Sequence, residues 1–161
     1  MHIPDGPKDK MVTQAAFWPM MGQFLREDDI VVAETGTSSF GMIGTPLPKG
    51  ATFVSQVLWG SIGWAGGSTL GALLAAEESP KPRRGGGFPG GGGGLWGGGG
   101  GGPGGGGGGG KAPPKPRRVV VFTGEGSLQL TAQEVSTMVR LNLKPILVVL
   151  NNDGYVSPAS F

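Results

Sequence analysis

The stretch VVVFTGEGSLQLTAQEVSTMVRLNLKPILVVLNNDGY, Val119 to Tyr155, decides the fold. Val119–Thr123 is short and almost wholly apolar, the pattern of a strand covered on both faces of a parallel sheet. Gly124-Glu125-Gly126-Ser127 reads as a glycine-rich turn at its end. Thr131 followed by Glu134 spells a capping box for a helix to about Leu141, with Val135, Met138 and Val139 as its inward face. Asn142 suits the left-handed residue that ends a helix. Pro145 opens the next connection, and Ile146–Leu150 reads as a second buried strand. A polar turn follows, Asn151-Asn152-Asp153-Gly154. A strand–helix–strand unit puts both turns at the carboxyl ends of parallel strands, where open α/β sheets take their ligands.

The two turns offer hard oxygen donors. Glu125 brings a carboxylate, Asn152 an amide oxygen 27 residues later, and Gly154 a backbone carbonyl. Mg²⁺ prefers six oxygens and keeps water or phosphate in some positions, so these three groups suit a cation that itself holds a phosphate. Gly126 and Ser127 have N–H and O–H groups for the phosphate oxygens. On the residues alone, an ordinary βαβ unit with a turn glutamate and an asparagine-rich turn remains the competing reading.

Upstream, Thr13 precedes a helix from Gln14 to about Arg26, with Phe17, Met20, Met21, Phe24 and Leu25 on one stripe and Pro19 bending it or marking its first turn. Ile30–Ala33 is a second all-apolar strand. Glu34-Thr35-Gly36-Thr37-Ser38-Ser39 then forms a hydroxyl-rich turn at its carboxyl end, a second place of expected ligand contact. Gly41–Gly50 reads as loop and Phe53–Gln56 as a short strand. A glycine-dense helix runs to about Glu77, its glycines allowing close approach of backbone or of a flat ligand. No residue from Val57 to Ala76 is charged. The length would suit a membrane span, but the density of Gly, Ser and Ala favours a helix packed within an α/β layer. Glu77 and Glu78 read as solvated.

Most of the 35 glycines lie between Gly85 and Gly110. Without that tract roughly 135 residues remain, enough for one α/β core. Residues 81–117 form a Gly/Pro-rich low-complexity insert, predicted to be disordered because poly-Gly loses much entropy on ordering and has almost nothing to bury. Deleting it would join Glu78 to Arg118 by a connection of ordinary length, which points to a translated intron or a flexible insert. The expected organisation is a linker over 1–12, the first part of one domain over 13–80, the insert, and the second part over 118–161.

Net charge is +2 and the basic residues fall in two short clusters, so nucleic acid is not indicated. There are no cysteines, hence no disulfides or thiolate metal sites, which fits the cytoplasm. The N-terminus lacks the apolar core of a signal peptide.

The segment GEGSLQLTAQEVSTMVRLNLKPILVVLNNDGY resembles the thiamine-diphosphate motif, GDG followed by about 24 residues and NN. Its wording is similar to that of fungal pyruvate decarboxylases, as is that of VVAETGTSSFG at Val31–Gly41 and SQVLWGSIGW at Ser55–Trp64. The resemblance covers roughly Thr13–Glu78 and Arg118–Tyr155. It implies a three-layer α/β fold, a parallel sheet with helices on both faces, incomplete and interrupted by the insert. It implies thiamine diphosphate and Mg²⁺ as cofactors, with Glu125, Asn152 and the Gly154 carbonyl on the metal. Gly126 and Ser127 would hold the diphosphate, and Tyr155 would also contact the cofactor. Gly36 and Thr37 would meet the aminopyrimidine end, the Gly60 carbonyl its 4′-amino group, with Ser61 alongside. Ile62 would force the cofactor's bent shape. The activity implied is decarboxylation of a 2-oxo acid, pyruvate to acetaldehyde and CO₂, or another such acid of the indolepyruvate type, in a homodimer or tetramer. A non-catalytic cofactor-binding fragment is the remaining alternative. Three departures stand out. Glu125 occupies the position of the family's usual Asp. The family's pyrimidine-binding domain has no counterpart here, His2 being the sole histidine. The sequence leaves the pattern at Val156, with Pro158 where a substrate-contacting Glu is expected. The chain is therefore expected to supply the diphosphate half of a site, to contain no catalytic residue, and to be inactive alone.

Overall fold

The computed structural model describes residues 12–78, 116–152 and 154. The expectations for the N-terminal linker, most of the glycine-rich insert, Tyr155 and the residues after it lie outside these. Four strands form one parallel sheet in the order β2-β1-β3-β4: β1 Ile30–Ala33, β2 Thr52–Ser55, β3 Val119–Gly124 and β4 Ile146–Leu150. Ile30 pairs with Thr52 on one side and with Val119 on the other, and Val120 pairs with Ile146. The first connection leaves β1 in one direction and the next carries the chain back past β1 to β3. The point where the direction reverses, between β1 and β3, is where such sheets open a crevice at their carboxyl ends.

Alternate residues of β1 and β3 face two separate cores. Ile30, Val32, Val119 and Val121 pack with Ala65, Leu73 and Ala76 of α3 (Trp64–Glu78) and with Met138 of α5 (Gln133–Arg140). Val31, Ala33, Val120 and Phe122 pack with Trp18 of α1 (Gln14–Phe24) and Met42 of α2 (Thr37–Ile43). The result is the three-layer α/β arrangement expected. Central strands β1 and β3 are buried along their length apart from the last residue, Gly124.

Several local expectations are corrected by packing. Residues Thr37–Ile43 form helix α2, not a loop, because Gly36 at φ 98° turns the chain back onto β1. A Cβ on Gly41 would come 1.9 Å from the Trp18 indole, so α2 lies directly on that ring. In α1 the anchor is Trp18, with Ala16, while Met20 and Phe24 of the expected stripe are exposed. Glu125–Leu130 is a short helix, α4, and not a turn. Thr131 does not cap α5: its hydroxyl donates to the Gly63 carbonyl at 2.8 Å. Val139 is exposed, and Met138 alone of the expected inward face is fully buried. β4 is an edge strand with alternating exposure, Leu147 and Val149 reaching solvent, since no strand among the described residues lies beyond it. Asn142 does end α5 in the left-handed region, at φ 55°. No helix among the described residues is long and apolar enough to cross a membrane; the uncharged stretch divides into a loop and the 15-residue α3.

Candidate cofactor site

The carboxyl ends of all four strands converge on one rim. β1 ends in Glu34, which is 1% exposed. Its Oε1 accepts the Thr35 N–H at 2.9 Å and its Oε2 the Ala65 N–H at 3.2 Å. Burial pushes the Glu34 carboxyl up from its ordinary value, and the N–H groups of Thr35, Ala65 and Gly63 pull it back. The Thr35 hydroxyl donates to the Ser61 carbonyl at 3.0 Å, and the Ser61 N–H donates to the Gln56 side chain. The loop after β2 is thus tied to the turn after β1.

The same loop is tied to the region after β3. Gly60 and Gly63 both take positive φ, 57° and 87°. A Cβ on Gly63 would stand 2.8 Å from Leu130 Cβ, and one on Gly66 would stand 2.4 Å from the Thr131 hydroxyl. Only glycine lets α3 begin this close to the segment Ser127–Thr131. The close approach expected of the glycine-dense helix is therefore real at Gly66, at the start of α3, while Gly67 and Gly71 meet nothing within 4 Å.

At the far side of the crevice, Glu125 opens α4 and its Oε1 accepts the Gly154 N–H at 2.8 Å. The start of α4 after β3 and the segment after β4, which the sequence separates by a helix and a strand, are therefore in contact. It is the N–H of Gly154, rather than its carbonyl, that meets the carboxylate. Asn152 is exposed beside it. Gly126 is half-buried, whereas Ser127 is buried and lines a small cavity with Glu34, Thr69 and Thr123. The Thr69 hydroxyl has no hydrogen-bond partner among the described residues. Gly36 and Thr37 are half-buried at the start of α2, one residue beyond Thr35. Ser61 is exposed, and Ile62 is 42% exposed, leaving its side chain available to a ligand.

The donor set suits a hard cation. No cluster of three or more His, Cys, Asp or Glu side chains lies among the described residues, so an ion at Glu125 must draw on amide, carbonyl and phosphate oxygens. Glu34 and Thr35 fall in the turn where ligand contact is expected, though the sequence assigns neither a role of its own; Gln56 and Thr131 are not expected at the site. Glu34 carried a signal: a lone charge directly after four apolar strand residues is a carboxylate at the crevice end of a buried strand. The partners of Thr35, Gln56 and Thr131 carry no signal, because they lie 26, 5 and 68 positions away.

Residues 89–157 match the family described as thiamine pyrophosphate enzyme, C-terminal TPP binding domain. With the parallel sheet and its crevice, this match defines the class: the chain carries a segment of the C-terminal domain of a thiamine pyrophosphate enzyme. Within that class the segment is of the fungal pyruvate decarboxylase type. It is 42% identical to pyruvate decarboxylase of Kluyveromyces marxianus over 160 residues, 95% of this chain and 22% of that protein. It is 44% identical to pyruvate decarboxylase isozyme 1 of Saccharomyces cerevisiae over 149 residues, 92% of this chain and 20% of that protein. A solved structure from Mycobacterium smegmatis, described as a thiamin diphosphate-dependent enzyme, shares the fold, with TM-score 0.59 and 21% identity over 89% of this chain and 21% of that one. The chain spans about a fifth of the length of the curated relatives it matches.

Proposed function

We propose that this chain supplies the diphosphate- and Mg²⁺-binding half of a thiamine diphosphate site, and that the whole protein decarboxylates pyruvate to acetaldehyde and CO₂. The observation that carries the reading is the Glu125–Gly154 contact, which joins the two motif turns at the mouth of the crevice. Glu125, the Asn152 amide oxygen and the Gly154 carbonyl would hold the metal. Gly126 and Ser127, whose N–H groups in the first turn of α4 have no carbonyl partner within that helix, would hold the diphosphate. Gly36, Thr37, Gly60, Ser61 and Ile62 would meet the aminopyrimidine end, and Tyr155 belongs to the same assignment. When bound, the cofactor supplies the carbon nucleophile and the electron sink that decarboxylation of a 2-oxo acid needs. This chain's own residues bind and orient. The carboxylate neutralises the ion, the glycines admit the ligand to the backbone, and Ile62 shapes the ring end. None of them moves a proton. The same reading places the protein in the cytoplasm and in a homo-oligomer, and keeps the domain boundaries at 80/81 and 117/118.

Calorimetric titration of thiamine diphosphate into the chain, with and without Mg²⁺, tests the half-site. Binding that requires the metal and weakens at least about a hundredfold in Glu125→Ala is expected for loss of a direct ligand. Binding indifferent to both metal and mutation would refute it. Incubating the purified chain with pyruvate, thiamine diphosphate and Mg²⁺ is expected to give no acetaldehyde.

A further inference from the structure

The Gly60–Gly63 loop is soft by composition, yet its backbone is held at Ser61 and Gly63. Thr131 donates to the Gly63 carbonyl and Thr35 to the Ser61 carbonyl. Gln56 accepts the Ser61 N–H. Glu34 accepts the Ala65 N–H at the start of α3. Helix α3 has glycine where a Ser, Thr, Asp or Asn would normally accept that donor. A glutamate 31 residues away does so instead, from inside the sheet.

We propose that Glu34 is a positioning residue: its carboxylate, holding the start of α3 and the Thr35 backbone at once, presets the Gly60–Ile62 loop for the aminopyrimidine end of the cofactor. The inference rests on the reading above for what the loop meets. Both carboxylate oxygens face N–H donors, so the position requires a group that only accepts. An amide would turn an NH₂ toward either Thr35 or Ala65 and set donor against donor. No cation pairs with this buried carboxylate among the described residues. A buried charge held by amides alone is a poor choice for stability and is typical of functional rims. Thr35 completes the device, since its N–H is fixed by Glu34 while its hydroxyl fixes Ser61.

The test separates the two ends of the cofactor. Thiamine diphosphate and inorganic pyrophosphate, each with Mg²⁺, are titrated into the wild-type chain, Glu34→Gln and Thr35→Val, and backbone hydrogen exchange is read on the same proteins without ligand. Glu34→Gln is expected to weaken thiamine diphosphate about tenfold, the effect of losing one hydrogen bond to a charged acceptor, while pyrophosphate stays within about twofold. Thr35→Val is expected to weaken thiamine diphosphate about threefold, as for one neutral hydrogen bond, with pyrophosphate unchanged. Exchange should quicken at Ser61–Ala65 in Glu34→Gln and stay slow at Val119–Phe122. Equal loss of both probes, or wild-type affinity for both in Glu34→Gln, overturns the proposal. A wild-type chain that binds neither probe overturns the diphosphate reading instead. Exchange then decides the role of Glu34: quickening confined to Ser61–Ala65 supports it, and unchanged or uniform exchange overturns it.

Discussion

Asp29 and Glu34 stand at opposite ends of one strand, and both are buried carboxylates, 2% and 1% exposed. They are satisfied in different ways. At the amino rim, Asp29 receives Arg118 through Nε at 2.9 Å and through Nη2, and the Arg26 N–H at 2.8 Å. The Arg118 guanidinium also lies over the Phe24 ring, 5.5 Å from its centroid. Arg117 beside it bonds the Asp28 and Gly50 carbonyls and the Thr52 hydroxyl, tying β1, β2 and β3 together. At the carboxyl rim, the hydrogen bonds described for Glu34 and Glu125 come from backbone N–H groups. A carboxylate paired to a guanidinium closes a rim, because its charge is matched within the chain. A carboxylate held by amides has no matching cation among the described residues: at Glu125 the charge is open to a ligand, and at Glu34 it holds the backbone around the crevice. The difference says which end of the sheet is built for stability and which for binding.

Removing the guanidinium should break this contrast most sharply. Arg118→Ala leaves Asp29 buried and unmatched. It is expected to cost about 3 kcal/mol, toward the low end for a broken buried pair, because a quarter of the Arg118 side chain stays in solvent. The midpoint of urea unfolding measures it, and thiamine diphosphate affinity of the folded fraction should not change. An equal loss of affinity would mean the two rims are not independent.

At the other rim, Glu125→Asp restores the arm length of the family motif. It is expected to tighten Mg²⁺-dependent binding severalfold and to move unfolding by less than about 0.5 kcal/mol, as for an exposed contact. Calorimetry and urea titration on the same protein check both halves.

The two ends of the described chain that flank the insert fix only where the chain leaves and returns. The described chain breaks off after Glu78, at the end of a helix that runs back from the crevice, and resumes just before the Arg117–Arg118 clamp. Excising residues 85–110 should leave thiamine diphosphate affinity unchanged. For the flexible connection its composition predicts, the shorter loop should add about 1 kcal/mol of stability. A loss of affinity on excision would tie the insert to the carboxyl rim.

The smallest effect is a slope. Burial raises the Glu34 pKa above its ordinary 4.5, so the folded state binds this proton more tightly than the unfolded chain does. Its contribution to stability is therefore full below about 4.5 and is lost as pH rises through the raised value. Stability of wild type relative to Glu34→Gln should fall across that window in paired urea titrations. A flat difference would mean that the amide donors fully offset burial.

The strands and the outer helices were legible because their signals are local. The apolar runs at Ile30–Ala33 and Val119–Thr123 read as covered strands and are buried, whereas the similar run Ile146–Leu150 is half-exposed, and Asn142 before a buried Leu143 marks a helix end. Helices α2 and α4 were not legible. Each is short and glycine-containing, and each forms because a neighbouring element covers it: Trp18 lies against Gly41 in α2, and Gly63 against Leu130 in α4. Thr131 shows the same limit. Its spacing to Glu134 spells a cap, but its hydroxyl donates to a carbonyl 68 positions upstream.

By itself the sequence determined the α/β class, the two motif turns and the donors that suit a hard cation beside a phosphate. Periodicity, charge and spacing act over a few residues and survive without the fold. Only the tertiary structure decided that Glu125 touches Gly154, that β4 lies at the edge of the sheet among the described residues, and that Glu34 holds the loop after β2. Those contacts join positions 29 and 31 residues apart, and pairing of distant backbone groups is fixed by strand order and close glycine approaches, which no local pattern encodes.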